Sequence, residues 1–235
     1  MCMEKRISEK LISIRNLSKE INGKKILKNI SFDIVRGEIT ALLGPNGAGK
    51  TTILRCLTGI FNVTSGNIEK VNNLIISVML EKDLLWEKYS GWENIKIYAE
   101  LLGRGVEKND IEVYAEKLGI LDFLSQKVYT YSKGTKRKLS FLLALLKNPD
   151  LLVLDEPMSG LDPISRKNMR ELILDLNQKG KSVILTSHDL GELEKLAHRV
   201  ILIKEGKILV DDMKSEILGK YRDLEELFLD VIGGG

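Results

Sequence analysis

At 235 residues, with 43% apolar and 29% charged side chains, the chain is of ordinary globular composition and long enough for one large domain or two lobes. A net charge of +3 is too small to argue for nucleic acid; no apolar run approaches the ~18–20 residues of a membrane span; and Met1 to Lys10 carries charges without an apolar stretch, so no secretory signal is expected. Cys2 and Cys56 form no disulfide or metal pattern, which fits a reducing cytoplasm.

In chain order, Lys10 to Leu17 and Ile30 to Val35 alternate apolar and polar residues, with turns at Asn22-Gly23 and Arg36-Gly37. They predict a small, mainly antiparallel sheet. Ile39 to Leu43 is short, apolar and partly β-branched, as suits a buried parallel strand. Gly44-Pro45-Asn46-Gly47-Ala48-Gly49-Lys50-Thr51 then reads G-x-x-x-x-G-K-T, and Thr52 to Thr58 suits a helix. Strand, glycine-rich turn and helix start together make a phosphate cradle. The glycines let backbone N–H groups wrap the β-phosphate. Lys50 reaches the β- and γ-phosphates, and the Thr51 hydroxyl can ligate Mg²⁺. A merely structural loop has no use for the Lys-Thr pair.

Ser65-Gly66-Asn67 reads as a turn and Leu74 to Leu80 as another apolar strand. Helical spacing then takes over. Glu93 to Leu102 aligns Ile95, Tyr98, Ala99 and Leu102; Asp110 to Leu118 aligns Ile111, Tyr114, Ala115 and Leu118; Lys133 to Lys147 is a third helix, stopped by Asn148-Pro149. A helical lobe over 82–147 therefore interrupts an α/β chain. Beyond it, Leu151 to Asp155 is a buried strand and Asp162-Pro163 opens a helix that Gly180 ends. Ser182 to Thr186 is a strand, Leu190 to Ala197 a helix, and Val200 to Ile203 with Lys207 to Val210 a hairpin over Glu205-Gly206. A short helix, Leu224 to Val231, precedes a triple-glycine tail expected to lack structure.

Two strand ends carry candidate chemistry. Leu151 to Leu154 leads into Asp155-Glu156. In a parallel α/β sheet that end opens onto the ligand crevice, where Asp155 can hold Mg²⁺ and Glu156 can polarise a water toward a γ-phosphate. His188 follows the strand ending Leu185-Thr186 and can contact the γ-phosphate and the attacking water. A third feature is Tyr131-Ser132-Lys133-Gly134-Thr135. Ser132 is a good N-cap, but Lys133, Lys136, Arg137 and Lys138 crowd the positive end of the helix dipole. Either this is a solvated basic face, or an anion docks on the Ser132 hydroxyl and the backbone N–H groups.

With these residues in view, the chain resembles the ATPase subunits of ABC transporters, over about Leu11 to Asp230. Gly44 to Thr51 is similar to the family's Walker A motif and Leu151 to Glu156 to Walker B with its glutamate. Tyr131 to Thr135 resembles the signature LSGGQ in variant form, Ser159-Gly160-Leu161-Asp162 the D-loop, and His188 the switch histidine. The resemblance implies a P-loop NTPase core with a mainly parallel sheet, an N-terminal antiparallel β subdomain and an inserted α-helical subdomain. It implies core and β lobe at 10–81 and 148–212, helical subdomain at 82–147, and a C-terminal helix and tail at 213–235.

The family likeness also implies ATP and Mg²⁺ as cofactors and a head-to-tail dimer, a homodimer or a heterodimer with another ABC ATPase subunit. In that dimer each ATP lies between Walker A of one subunit and the signature of the other. Glu156 is implied as general base. Lys50, with Ser132 and Gly134 in trans, would stabilise charge, and His188 would hold the γ-phosphate. The nucleotide is expected on Ile21, Gly44, Pro45, Asn46, Gly47, Ala48, Gly49, Lys50, Thr51 and Thr52, with Mg²⁺ at Thr51, Asp155 and Glu81. The implied role is to drive transport, on analogy export, through a separate integral membrane permease. The implied place is cytoplasmic, peripheral on the inner face of the membrane, with no nucleic acid partner. A weakly hydrolysing regulatory subunit, or a soluble non-transport ABC ATPase, is the alternative.

Three positions depart from the family pattern. Ile21 stands about where many relatives stack an aromatic on adenine, so either base selectivity is loose or another residue covers the ring. Glu81 stands where the family has a glutamine that touches Mg²⁺; either its carboxylate ligates the ion instead, or it is a surface glutamate and the loop is offset by a residue. Tyr131 and Lys133 replace the commoner Leu and Gly of the signature. Finally, Trp86, Tyr89 and Trp92 cluster just after Glu81. They either anchor a short helix of the permease in a groove or fill the core of the helical lobe.

Overall fold

The computed structural model describes residues 9–103 and 108–233. Cys2, the charged segment before Glu9, and Gly234-Gly235 of the expected tail lie outside the described residues.

The chain opens with a long hairpin, β1 (Lys10–Ile21) and β2 (Lys24–Val35). Asn22 and Gly23 both take positive φ, 49° and 76°. That is the left-handed backbone that matches the strand twist in a tight hairpin. Strand β3 (Ile39–Leu43) leads into α1 (Lys50–Leu57), and β4 (Ser65–Lys70) and β5 (Ile76–Met79) follow. The expected turn at Ser65-Gly66-Asn67 is instead the start of β4, which pairs with β1 from Ser18↔Ser65 to Ile12↔Lys70. Ile68 is the one apolar residue of that strand. There is no alternation to read, and the free edge of β1 supplies the partner.

Helices α2 (Gly91–Leu101), α3 (Lys108–Lys117) and α4 (Lys133–Leu145) occupy the middle of the chain. Helix α2 begins earlier than its apolar spacing suggests because Ser90 and Glu93 form a capping box. The remainder alternates: β6 (Leu151–Asp155), α5 (Pro163–Gln178), β7 (Ser182–Thr186), α6 (Leu190–Leu196), β8 (Arg199–Lys204), β9 (Lys207–Met213), α7 (Lys214–Ile217) and α8 (Leu224–Gly233). Helix α7 has four residues, too few for a periodic signal. Gly233, expected in the unstructured tail, ends α8.

Two sheets result. One is three-stranded, in the order β2-β1-β4, and antiparallel throughout. The other is six-stranded, in the order β5-β6-β7-β3-β8-β9, parallel except for the β8–β9 hairpin. Every residue of β3, β6 and β7 is buried. Their alternate side chains feed two cores. Ile39, Ala41, Leu43, Leu152 and Leu154 face the helical segments; Leu42, Leu151 and Val153 face α1 and the antiparallel sheet. This three-layer arrangement brings the carboxyl ends of β6, β7 and β3 to one edge, side by side, where ligands bind in such sheets. Among the described residues no helix is long and apolar enough to cross a membrane.

Candidate active site

The loop 44–49 joins β3 to α1. Gly49, the N-cap of α1, has φ +111°, and a Cβ there would lie 2.7 Å from Leu27 Cδ2. Glycine keeps the main chain tight against β2 and leaves no side chain over the helix start. Helix α1 has no side-chain cap and no acid in its first turn. Its N–H groups are therefore open to an anion. Lys50 folds back over the loop, donating to the carbonyls of Gly44 (2.5 Å) and Pro45 (3.2 Å). Burial pushes its ammonium pKa down, opposed by the charges of Glu156 and Asp155.

Opposite the loop stands the end of β6. Asp155 is 2% exposed; its Oδ1 accepts from Thr186 Oγ1 at 2.6 Å, while Oδ2 is buried without a hydrogen-bond partner. Glu156 is also buried. Its Oε2 accepts from the His188 N–H at 3.3 Å, and Oε1, 3.4 Å from His188 Nε2, has no hydrogen-bond partner. Burial raises the Glu156 pKa; the nearby His188 opposes this, Asp155 adds to it, and Lys50 opposes it. Glu156 has φ +52°, uncommon for a non-glycine residue. Its N–H is held by Thr186 Oγ1 at 3.0 Å. Thr186 thus holds the Asp155 carboxylate and the Glu156 backbone. The sequence lists it as a strand end only, because its role depends on the Asp155↔Thr186 register between β6 and β7.

These groups line one cleft of about 690 Å³, within the ~300–1,000 Å³ of small-ligand sites. Asn46 to Thr52 form one wall and Asp155, Glu156 and His188 another. Ile21 and Glu81, the two departures from the family pattern, also face it. So do Asn22, Lys24 and Ile26 from the first hairpin, which the sequence offers no signal to select. Gly44 and Pro45 take part through their carbonyls.

Ser132 and Gly134 stand apart from this cleft. They open α4, where the Ser132 hydroxyl accepts from Thr135 N–H at 3.1 Å. Gly134 lies against Gly160 and Leu161 of the loop before α5. Three of the four cations at the start of α4 have partners within the chain. Lys136 pairs with Glu87 at 2.5 Å, Lys138 reaches Ser165 Oγ at 3.3 Å, and Arg137 is buried. Acids within the chain thus pair two of these cations, Lys136 and Arg137, and Ser132 with Lys133 remains exposed.

The aromatic cluster also divides. Trp92 packs against the main core with Lys108 Nζ 5.9 Å from its ring centroid. Trp86 and Tyr89 stay exposed, with Trp86 edge-on to Tyr98 at 5.0 Å. A groove does lie nearby, lined by Val78, Leu84, Tyr98, Leu143 and Ala144 rather than by the tryptophans.

A phosphate loop at the edge of a parallel sheet, facing buried carboxylates at the next strand ends, defines a P-loop nucleotide-binding protein. Residues 27–159 match the family model described as ABC transporter. The chain is 37% identical over 218 residues to an ABC transporter ATP-binding protein of Methanocaldococcus jannaschii, covering 92% of this chain and 82% of that one. It is 36% identical over 225 residues to a lantibiotic transport ATP-binding protein of Streptococcus pyogenes, covering 93% and 96%. A solved ATP-binding subunit of an ABC transporter superposes with a TM-score of 0.84 at 24% identity, over 94% of this chain and 99% of that one, and bears on the fold. The chain belongs to the ABC transporter family, as an ATP-binding subunit that hydrolyses ATP.

Proposed function

We propose that the cleft holds Mg²⁺·ATP and that Glu156 is the general base of its hydrolysis, in a subunit that drives export through a separate membrane permease. The observation that carries this reading is the pair of buried carboxylate oxygens without hydrogen-bond partners, Asp155 Oδ2 and Glu156 Oε1, across the cleft from Lys50.

Oxygen donors suit Mg²⁺. Asp155 and Thr51, with Glu81 beside them, are the residues that would hold it. When bound, the ion neutralises charge on the β- and γ-phosphates. The N–H groups at the start of α1 and the Lys50 ammonium bind the phosphates. Lys50 would exchange its two carbonyl partners for phosphate oxygens. Glu156, whose raised pKa makes it a better proton acceptor than an exposed carboxylate, takes the proton of the attacking water. His188 contacts the γ-phosphate from the neighbouring strand end. Ile21 offers the base an apolar contact in place of a stacked ring.

Ser132 and Gly134 do not line their own cleft, so they serve the cleft of a second ATPase subunit, a copy of this chain or a relative. The groove around Leu84 and Tyr98 receives a short helix of the permease. The likeness to a lantibiotic transport protein supports export, and docking on a permease would place the chain on the inner face of the membrane. Purified chain is expected to hydrolyse ATP only with Mg²⁺, and Lys50→Ala to lower the rate by ~10²–10³-fold, the cost of losing a preorganised charge. A Lys50→Ala rate within a few fold of wild type would refute the assignment.

A further inference from the structure

Helix α4 buries an arginine. Arg137 is 1% exposed and is among the largest fully buried side chains. A guanidinium in such a place needs acceptors; here both terminal nitrogens have them, while Nε is buried without a hydrogen-bond partner. Nη1 donates to the Leu80 carbonyl (2.6 Å), the Glu81 carbonyl (3.0 Å) and Asp83 Oδ1 (3.0 Å). Nη2 donates to the carbonyls of Asp155 and of Glu156, the latter at 2.7 Å. One planar fork therefore ties two separate segments together. Apart from Asp83, the acceptors are main-chain carbonyls, so the fork fixes backbone.

Both segments matter to the cleft. Glu81 faces it from one side; Asp155 and Glu156 face it from the other. The left-handed backbone of Glu156 persists only if its surroundings hold it. Thr186 holds its N–H and Arg137 its carbonyl. The same segment 80–84 turns Leu80, Asp83 and Leu84 the other way, into the groove.

We propose that Arg137 is a positioning residue for hydrolysis, which locks the groove-lining segment 80–83 to the backbone of Asp155 and Glu156. A shift of that segment is then passed to the carboxylates that face the nucleotide. This rests on the cleft being the hydrolytic site.

Two substitutions test it. Arg137→Lys keeps a buried charge, but a single ammonium cannot span both pairs of carbonyls. Arg137→Met removes the charge together with the donors, so it leaves no unpaired cation if the lysine variant fails to fold. Each folded variant is expected to lose ~10-fold or more in kcat, because misplacing a catalytic group by about 1 Å can cost ~10²-fold, with KM for ATP within ~3-fold of wild type. A purely structural arginine would lower the melting temperature and leave kcat of the folded protein within ~2-fold of wild type; that result overturns the proposal. Lys50→Ala, assayed alongside, keeps the readings separate. If it remains active, the site assignment has failed; if it is inactive, the Arg137 outcome stands by itself.

Discussion

The end of β6 and the start of α4, the two regions proposed to meet the nucleotide, are built differently. At the end of β6 the polar groups are buried and only partly satisfied. Asp155 and Glu156 each keep an oxygen without a hydrogen-bond partner, and Lys50 is held only by carbonyls. Burying polar groups in that state costs stability. It leaves the groups ready for a ligand that enters from solvent. At the start of α4, Ser132 is exposed and its hydroxyl already caps Thr135. The Ser132 hydroxyl is not an orphan, unlike the carboxylate oxygens at the end of β6. The difference teaches that the two halves of the proposed ATP site face different tasks. On that proposal, one performs chemistry inside its own chain, and the other stays exposed to meet a second subunit.

Substitutions at the α4 start are the strongest way to break this comparison. Ser132→Ala should lower ATPase activity by ~10²-fold, the usual cost of one transition-state donor. ATP affinity of the isolated chain should be unchanged, and thermal unfolding should show the loss of an N-cap, about 1 kcal/mol. If Ser132→Ala weakens nucleotide binding to the isolated chain as Lys50→Ala does, the two regions are not separate halves.

A smaller effect is expected at Ile21. Ile21→Tyr should tighten ATP by the ~1–3 kcal/mol of base–aromatic stacking. The wild-type chain should prefer ATP over GTP by less than ~10-fold, because apolar contact does not read the base edge. Isothermal titration with both nucleotides checks this; a strong wild-type preference for ATP sinks it.

The smallest effect sharpens the contrast between two N-caps. Helix α2 has a closed box in which Glu93 accepts from Ser90 N–H and from Lys127, and these bonds lower its pKa to about 2. Helix α4 has a serine cap and no acid in its first turn. A depressed carboxylate pKa adds stability above the ordinary carboxylate value, and that stability is lost as pH falls toward about 2. Glu93→Gln should therefore be less stable at neutral pH and flatter in its acid unfolding curve over that window, as followed by circular dichroism. An unchanged acid limb would remove Glu93 from the cap.

Sequence alone is enough for the phosphate loop, the paired carboxylates and the buried strands, since each is a local pattern. Leu151 to Asp155 and Ser182 to Thr186 have the same bounds in the structure as in the sequence reading. What the sequence hides is non-local or non-periodic. Strand β4 has no alternation and exists because β1 lends it an edge. Thr186 acts only through the register with Asp155. Arg137 looks like one of several cations on a basic helix until packing shows it turned inward. The first hairpin brings Lys24 and Ile26 to the cleft by a route of long-range pairing that no spacing encodes.

Glu156 is the centre of the proposed hydrolysis, and Glu156→Gln tests that role most directly. Turnover and ATP binding should be measured on the same preparation, together with thermal stability. The ionised Glu156 is disfavoured by burial, which raises its pKa and costs stability at neutral pH, so the neutral amide should raise the melting temperature. Hydrolysis should fall by ~10²–10⁴-fold, the range for losing a general base, while ATP stays bound with affinity within ~3-fold of wild type. Near-wild-type hydrolysis by a folded Glu156→Gln chain would contradict the account.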